Sequence, residues 1–155
     1  VMHRQNRSEN EVVVVVKPWS DEKKPVLKEQ YRKAIEDYIE PYRLINTKVT
    51  VESARYAGIC VHGKIALEQD SPKTRKAVLE RISRELSYTE RKHPFGTVIS
   101  YGQLFTALEN TEGVKKVLEL NLERTGNAAR KNDRGDVLLD ADALGILEGT
   151  DLEFC

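Results

Sequence analysis

The sequence predicts an α+β protein, and three observations carry that prediction. Apolar residues recur at three- and four-residue spacing in three charged stretches, the pattern of amphipathic helices. Between them lie short runs of consecutive or alternating β-branched residues, the pattern of strands. Proline, glycine and serine fall at the joints, where turns and caps need them.

Residues 1–11 are polar and read as a frayed lead-in. Val12 to Val16, a five-valine run bounded by Pro18, reads as a strand buried on both faces. Pro25 suits the first position of a helix. Leu27, Tyr31, Ala34, Ile35, Tyr38 and Tyr42 then carry an amphipathic pattern that Pro41 limits, and their spacing predicts core positions for the tyrosines. Val49 and Val51 alternate with polar residues as a strand.

Next comes a long alternation. Ile59, Val61, Gly63, Ile65 and Leu67 fall on one face, and Cys60, His62, Lys64, Ala66 and Glu68 on the other. Ser71-Pro72 caps and opens a second helix with Val78, Leu79, Ile82 and Leu86 on one stripe. His93-Pro94 ends that region, and Thr97 to Ile99 is a short strand. Ser100 and Gln103 make a capping box for a third helix, buried through Leu104, Phe105 and Leu108. Gly113 stops it.

Val114 to Leu122 is a strand with Leu118, Leu120 and Leu122 alternating inward. Thr125 to Gly135 is a glycine- and charge-rich loop that would dock a neighbour when assembled and be mobile when alone. The tail offers Val137–Leu139 and Asp151–Phe154 as strands. The order β-α-β followed by β-α-β-α-β divides the chain into a first unit at 12–54 and a second at 55–155. Each would lay helices on an antiparallel or mixed sheet as a small ferredoxin-like, split β-α-β unit.

Composition narrows the function classes. Lysine plus arginine number 25 and aspartate plus glutamate 25, so the net charge is zero across 155 residues. A protein that neutralises phosphates carries a basic excess, which argues against nucleic acid as partner. The longest apolar run is too short for a membrane span. Cys60 and Cys155 form neither a disulfide framework nor a zinc spacing and point to a reducing compartment. The opening Val1-Met2-His3-Arg4 reads as a piece of a longer protein.

Catalytic and metal signals are weak. Cys60 and His62 share a strand face, as a nucleophile pair would, but no third member stands at a motif position. Asp133, Asp136, Asp140 and Asp142 crowd one stretch without calcium-loop spacing. Gly96, Gly102 and Gly113 form no phosphate-binding cluster. Neither a cofactor, a metal nor a small-molecule substrate is expected, and no enzyme activity. The alternatives left open are a ferredoxin-like nucleic-acid- or ligand-binding module and a small enzyme using Cys60 and His62.

Two segments carry a resemblance. The first runs Ile39-Glu40-Pro41-Tyr42-Arg43-Leu44-Ile45-Asn46-Thr47-Lys48-Val49-Thr50-Val51, with Tyr56 close behind. The second runs Pro94-Phe95-Gly96-Thr97-Val98-Ile99-Ser100, then Leu104 and Gly113-Val114. In order and spacing they resemble the C-terminal region of the baseplate J-like family, the baseplate assembly proteins of contractile phage tails and related injection machines. The stretch Leu139 to Gly145 fits the family's closing strand region. The sequence departs from the pattern at Gly102, where a second cap serine is usual, and at Lys92-His93, where an aromatic often precedes Pro-Phe-Gly.

The resemblance implies a wedge-type scaffold that contacts other baseplate subunits and copies of itself. It implies assembly in the cytoplasm and then a place in a phage or tail-like particle. It gives Pro41, Arg43, Thr47, Tyr56, Pro94, Phe95, Gly96, Ser100, Gly113 and Val114 as structural motif residues. Phe95-Gly96 would serve as an aromatic anchor beside a permissive backbone.

Overall fold

The valine run lies at the centre of a three-stranded sheet. The computed structural model describes residues 2–6, 9–86 and 95–155, with side-chain surroundings from residue 10 onward. The chain divides into two units, Val1–Arg55 and Tyr56–Cys155. The α+β class read from the sequence is the class observed, with helices beside mixed and antiparallel sheets.

In the first unit, β1 (Met2–Asn6) pairs antiparallel with β2 (Glu9–Val16), which pairs parallel with β3 (Thr47–Ser53). Parallel neighbours need a long crossover, supplied here by α1 (Glu29–Ile39) and a 3-10 turn at Glu40–Tyr42. The expected lead-in therefore contains a strand. Its polar sequence did not announce one, because an edge strand can form on backbone pairing without an apolar face.

Pro25 does not open the helix. It is buried ahead of it, and Lys28 with extended ψ 145° is the N-cap. The Leu27 N–H donates to Ser53 Oγ at 3.0 Å, which ties this segment beside β3 and delays the first helical turn.

In the second unit, β4 (Arg55–Leu67) is the central strand. β6 (Val114–Thr125) pairs antiparallel on one side, and β9 (Ala143–Phe154) lies on the other. The Cys155 N–H donates to Ile65 O and its carbonyl accepts from Leu67 N–H, the bracketing pattern of a parallel pair. A second small sheet has the order β5 (Val98–Ile99), β8 (Val137–Leu139), β7 (Ala129–Lys131). Each main sheet has three strands among the described residues, one fewer than a complete ferredoxin-like unit.

Helices α2 (Pro72–Leu86) and α3 (Tyr101–Glu109) complete the core. Ile59, Val61 and Ile65 of β4 are fully buried with Val78, Ile82, Leu108 and Leu122, while Cys60, His62 and Lys64 stay partly exposed. The period-two alternation of β4 thus sorts core from surface as its sequence predicts. Ser71 Oγ accepts from the Thr74 N–H at 3.1 Å and Ser100 Oγ from the Gln103 N–H at 3.4 Å, so both serines cap helices as read.

One expectation differs in β6. A register shift between Lys64 and Ile65 sets Val117 opposite Ile65 and skips Leu118, which is left exposed. The Thr125–Gly135 segment contains β7 and buries Ala128 and Ala129, and its Asn132 Oδ1 accepts from the N–H groups of Arg134 and Asp136.

Candidate interaction surfaces

The Pro-x-Arg motif closes one edge of the first unit's sheet. Pro41 sits at the start of the 3-10 turn, which shapes the exit from α1. Arg43 then donates through Nε to Glu40 Oε1 at 2.7 Å and through Nη1 to the Thr47 carbonyl at 3.2 Å. Thr47 is buried at the start of β3. Further along the same edge, the Val51 N–H donates to Glu36 Oε1 at 3.3 Å. Residues 47 and 51 point away from β2, so these contacts occupy groups that would otherwise accept a foreign strand.

Arg43→Ala should cost about 0.5–1.5 kcal/mol, the net worth of such a hydrogen bond at a partly exposed site. Chemical denaturation reads this directly. Unchanged stability would show that the edge is held without Arg43.

The tyrosines correct the sequence reading. Tyr31, Tyr38 and Tyr42 are 57%, 73% and 76% exposed, and no residue of α1 is buried. Helical spacing placed them on one face, but the sheet is met by the neighbouring face, where Ile35, Glu36 and Ile39 are half-buried. The Tyr38 and Tyr42 ring centroids lie 5.9 Å apart. Leu44 and Ile45 follow, 76% and 90% exposed. The two nearby arginines are engaged within the unit: Arg32 pairs with Glu29 and Glu36, and Arg43 with Glu40. The stripe is therefore aromatic and aliphatic, with its adjacent arginines already neutralised.

On the second unit, the outer face of β4 is polar. His62 Nε2 lies 3.5 Å from Glu123 of β6 and Nδ1 lies 3.5 Å from Asp151 of β9, while Lys64 Nζ lies 3.3 Å from Glu153. The carboxylates absent from the sequence motif thus come from flanking strands, on both ring nitrogens. This is a bridge across three strands rather than a base aimed at the Cys60 thiol, whose Sγ lies beside Gly149. A surface lined by Glu119, Glu123, Asp151 and Glu153 also disfavours phosphate.

The second motif shapes the entry to α3. Pro94, like Lys92 and His93, lies outside the described residues. Phe95 is half-buried, so its truncation should fall below the about 3–5 kcal/mol of a fully buried ring. Gly96 has φ +69° and donates to the Ala143 carbonyl at 3.2 Å. Gly113 (φ +84°) ends the α3 region, and an added Cβ would meet Thr74 Cγ2 at 2.7 Å. Val114 behind it is buried and Tyr56 is half-buried. A Cβ added at Gly102 would meet Ser100 Oγ at 3.9 Å, an ordinary contact, so a side chain has room there.

Asp136 is the contribution sequence reasoning missed. Its Oδ1 accepts from the Tyr101 N–H at 2.9 Å and its Oδ2 from Asn132 Nδ2 at 3.0 Å. It caps α3 from 35 residues away, a distance no local motif spans. The hydrogen bond from Asn132, then that from the Tyr101 backbone, holds its carboxyl below the ordinary 3.8. A carboxyl depressed in the folded state stabilises above its unfolded pKa and loses that contribution as pH falls through the folded value. Stability should therefore decline below about pH 4, and the decline should be shallower in Asp136→Asn. Urea midpoints at pH 6 and pH 3 compare the two; parallel declines would contradict the assignment.

Among the described residues no group of three or more His, Cys, Asp or Glu side chains is placed to hold a metal, and no helix is long and apolar enough to cross a membrane. The clustered aspartates disperse, with Asp136 at the helix cap and Asp142 buried.

No family model and no curated protein matches the chain. A solved structure does: a chain of the anti-feeding prophage baseplate, determined by cryo-electron microscopy with six-fold symmetrisation, aligns with a TM-score of 0.65. The two share a fold. Sequence identity is 14%, and the alignment covers 92% of this chain but 29% of the baseplate chain. The present chain thus spans under a third of its structural neighbour, and the likeness includes both of its units.

Proposed function

We propose that this chain is a structural segment of a contractile-tail-type baseplate, a wedge-like scaffold that works by protein–protein contact with other subunits and with copies of itself. The observation that carries this reading is the shared fold over 92% of the chain with a baseplate component. The motif order of Pro41-x-Arg43 and Phe95-Gly96 points the same way from the sequence.

The site chemistry agrees. Arg43, Gly96, Ser100 and Gly113 support turns, caps and a closed strand edge rather than a reaction. The exposed Tyr31, Tyr38 and Tyr42 are of the residue type enriched at protein interfaces. A net charge of zero suits a subunit surrounded by neighbours, where complementary local charges set orientation.

Fractionation tests this. In cleared lysates of the source cells, the chain should pellet with sheathed tubular particles, and removing its coding segment should leave those particles unassembled. A chain that stays in the supernatant, with particles intact in its absence, would contradict a scaffold role.

A further inference from the structure

The two edges of the second unit's main sheet are built differently. β6 forms one edge, and it carries exposed Lys115 and Lys116 and two register shifts against β4. Lysines and irregular pairing are devices that keep a foreign strand off an edge. In the first unit Arg43 and Glu36 serve the same end along β3. β9 forms the opposite edge, and its twelve residues include no lysine, arginine or proline. Among the described residues β4 flanks it on one side and no strand pairs with the other.

The backbone groups on that open side can be assigned. Cys155 directs its N–H to Ile65 and its carbonyl to Leu67, both on β4. Successive residues of a strand turn these groups to opposite sides, so Leu152 and Phe154 direct theirs away from β4. An added strand would pair with them.

The side chains beside this edge specify what such a strand carries. On the outer face, exposed Asp151 and Glu153 have one histidine, His62, and one lysine, Lys64, on the β4 flank. Their other flank lies along the open edge, where an opposite residue of an added strand would stand about 4.5–5.5 Å away. Lysine or arginine is attracted there and a carboxylate is repelled. On the inner face, Leu152 and Phe154 pack against the core and stay half-buried, so apolar side chains at the alternate positions would cover them. A second β9 is disfavoured as the occupant, because two-fold edge pairing would set two acidic rows side by side.

We propose that the Asp151–Phe154 edge of β9 accepts an extended segment of a different protein, one that alternates basic and apolar residues. The proposal deepens the scaffold reading and rests on it for the expectation of partner subunits; what it adds is the edge and the chemistry of the partner.

Titration of the 155-residue chain with a short synthetic peptide alternating lysine and valine tests it, read by calorimetry and amide hydrogen exchange. Saturable binding is expected, with exchange of the Leu152 and Phe154 amides slowed about tenfold or more. A peptide alternating glutamate and valine should not bind. Glu153→Lys should weaken the lysine peptide about tenfold or more and admit the glutamate peptide, a gain that no folding defect produces. Leu152→Pro removes an outward donor while sparing the β4 ladder and should abolish binding; Leu152→Ala, which shortens the side chain alone, should keep it.

Absence of binding, or binding without slowed exchange at Leu152 and Phe154, would overturn the strand addition. Equal binding of the two peptides would overturn the basic partner. Either result in a chain that still pellets with sheathed particles would remove this inference alone and leave the scaffold reading in place.

Discussion

Ile82→Ala should destabilise the second unit by about 2–5 kcal/mol, the cost of emptying a fully buried aliphatic site. Ile82 is 0% exposed and belongs to the core cluster that draws buried side chains from α2, α3, β4, β6, β8 and β9. Thermal and urea denaturation of the variant should show an early loss of the second unit. Leu79→Ala is the control on the same helix: Leu79 is 41% exposed and its truncation should cost far less. Equal losses at the two positions would show that α2 does not pack on this face.

The second large effect belongs to Gly96. Its φ of +69° lies in the left-handed region, where a side chain alone costs about 1–3 kcal/mol. A Cβ there would also stand 2.9 Å from the Ala141 Cα, a backbone atom that cannot step aside as a side-chain tip would. Gly96→Ala should therefore lower stability by at least the strain alone, and it should disturb the Gly96–Ala143 hydrogen bond that joins this turn to β9. Gly126 supplies a comparison, with φ +75° but nothing within 4 Å of the added Cβ. Gly126→Ala measures strain without the backbone contact. A Gly96→Ala variant no less stable than Gly126→Ala would contradict the close approach.

Much of the second unit was legible in sequence because its signals are local. The strict alternation from Ile59 to Leu67 sets the inner and outer faces of β4, and Ser71 and Ser100 each stand three residues before the N–H they cap. What was not legible depends on partners distant in the chain. Asp136 reaches the α3 N-terminus across 35 residues, and the skipped Leu118 depends on the register of β6 against β4. Of the long β9 the periodicity shows only the end, Asp151–Phe154, because its first residues, Ala143 to Ile146, include small ones that carry little strand signal.

The first unit was read less well for a related reason. Helical periodicity tells which residues share a face of α1 and not which face is covered, so it points Tyr31, Tyr38 and Tyr42 at a core they do not enter. The same residues now form the exposed stripe. Arg43 and Thr47 were picked out by resemblance to a motif, and the structure gives them a physical link, the 3.2 Å bond from Arg43 to the Thr47 carbonyl at the edge of β3.

Immunogold labelling of sheathed particles from the source cells tests the scaffold reading most directly. An antibody to this chain should decorate one end of the rigid tubes, where a baseplate sits, and leave the sheath and the opposite end bare. Label spread along the tube, or confined to soluble material while particles remain unlabelled, would contradict it.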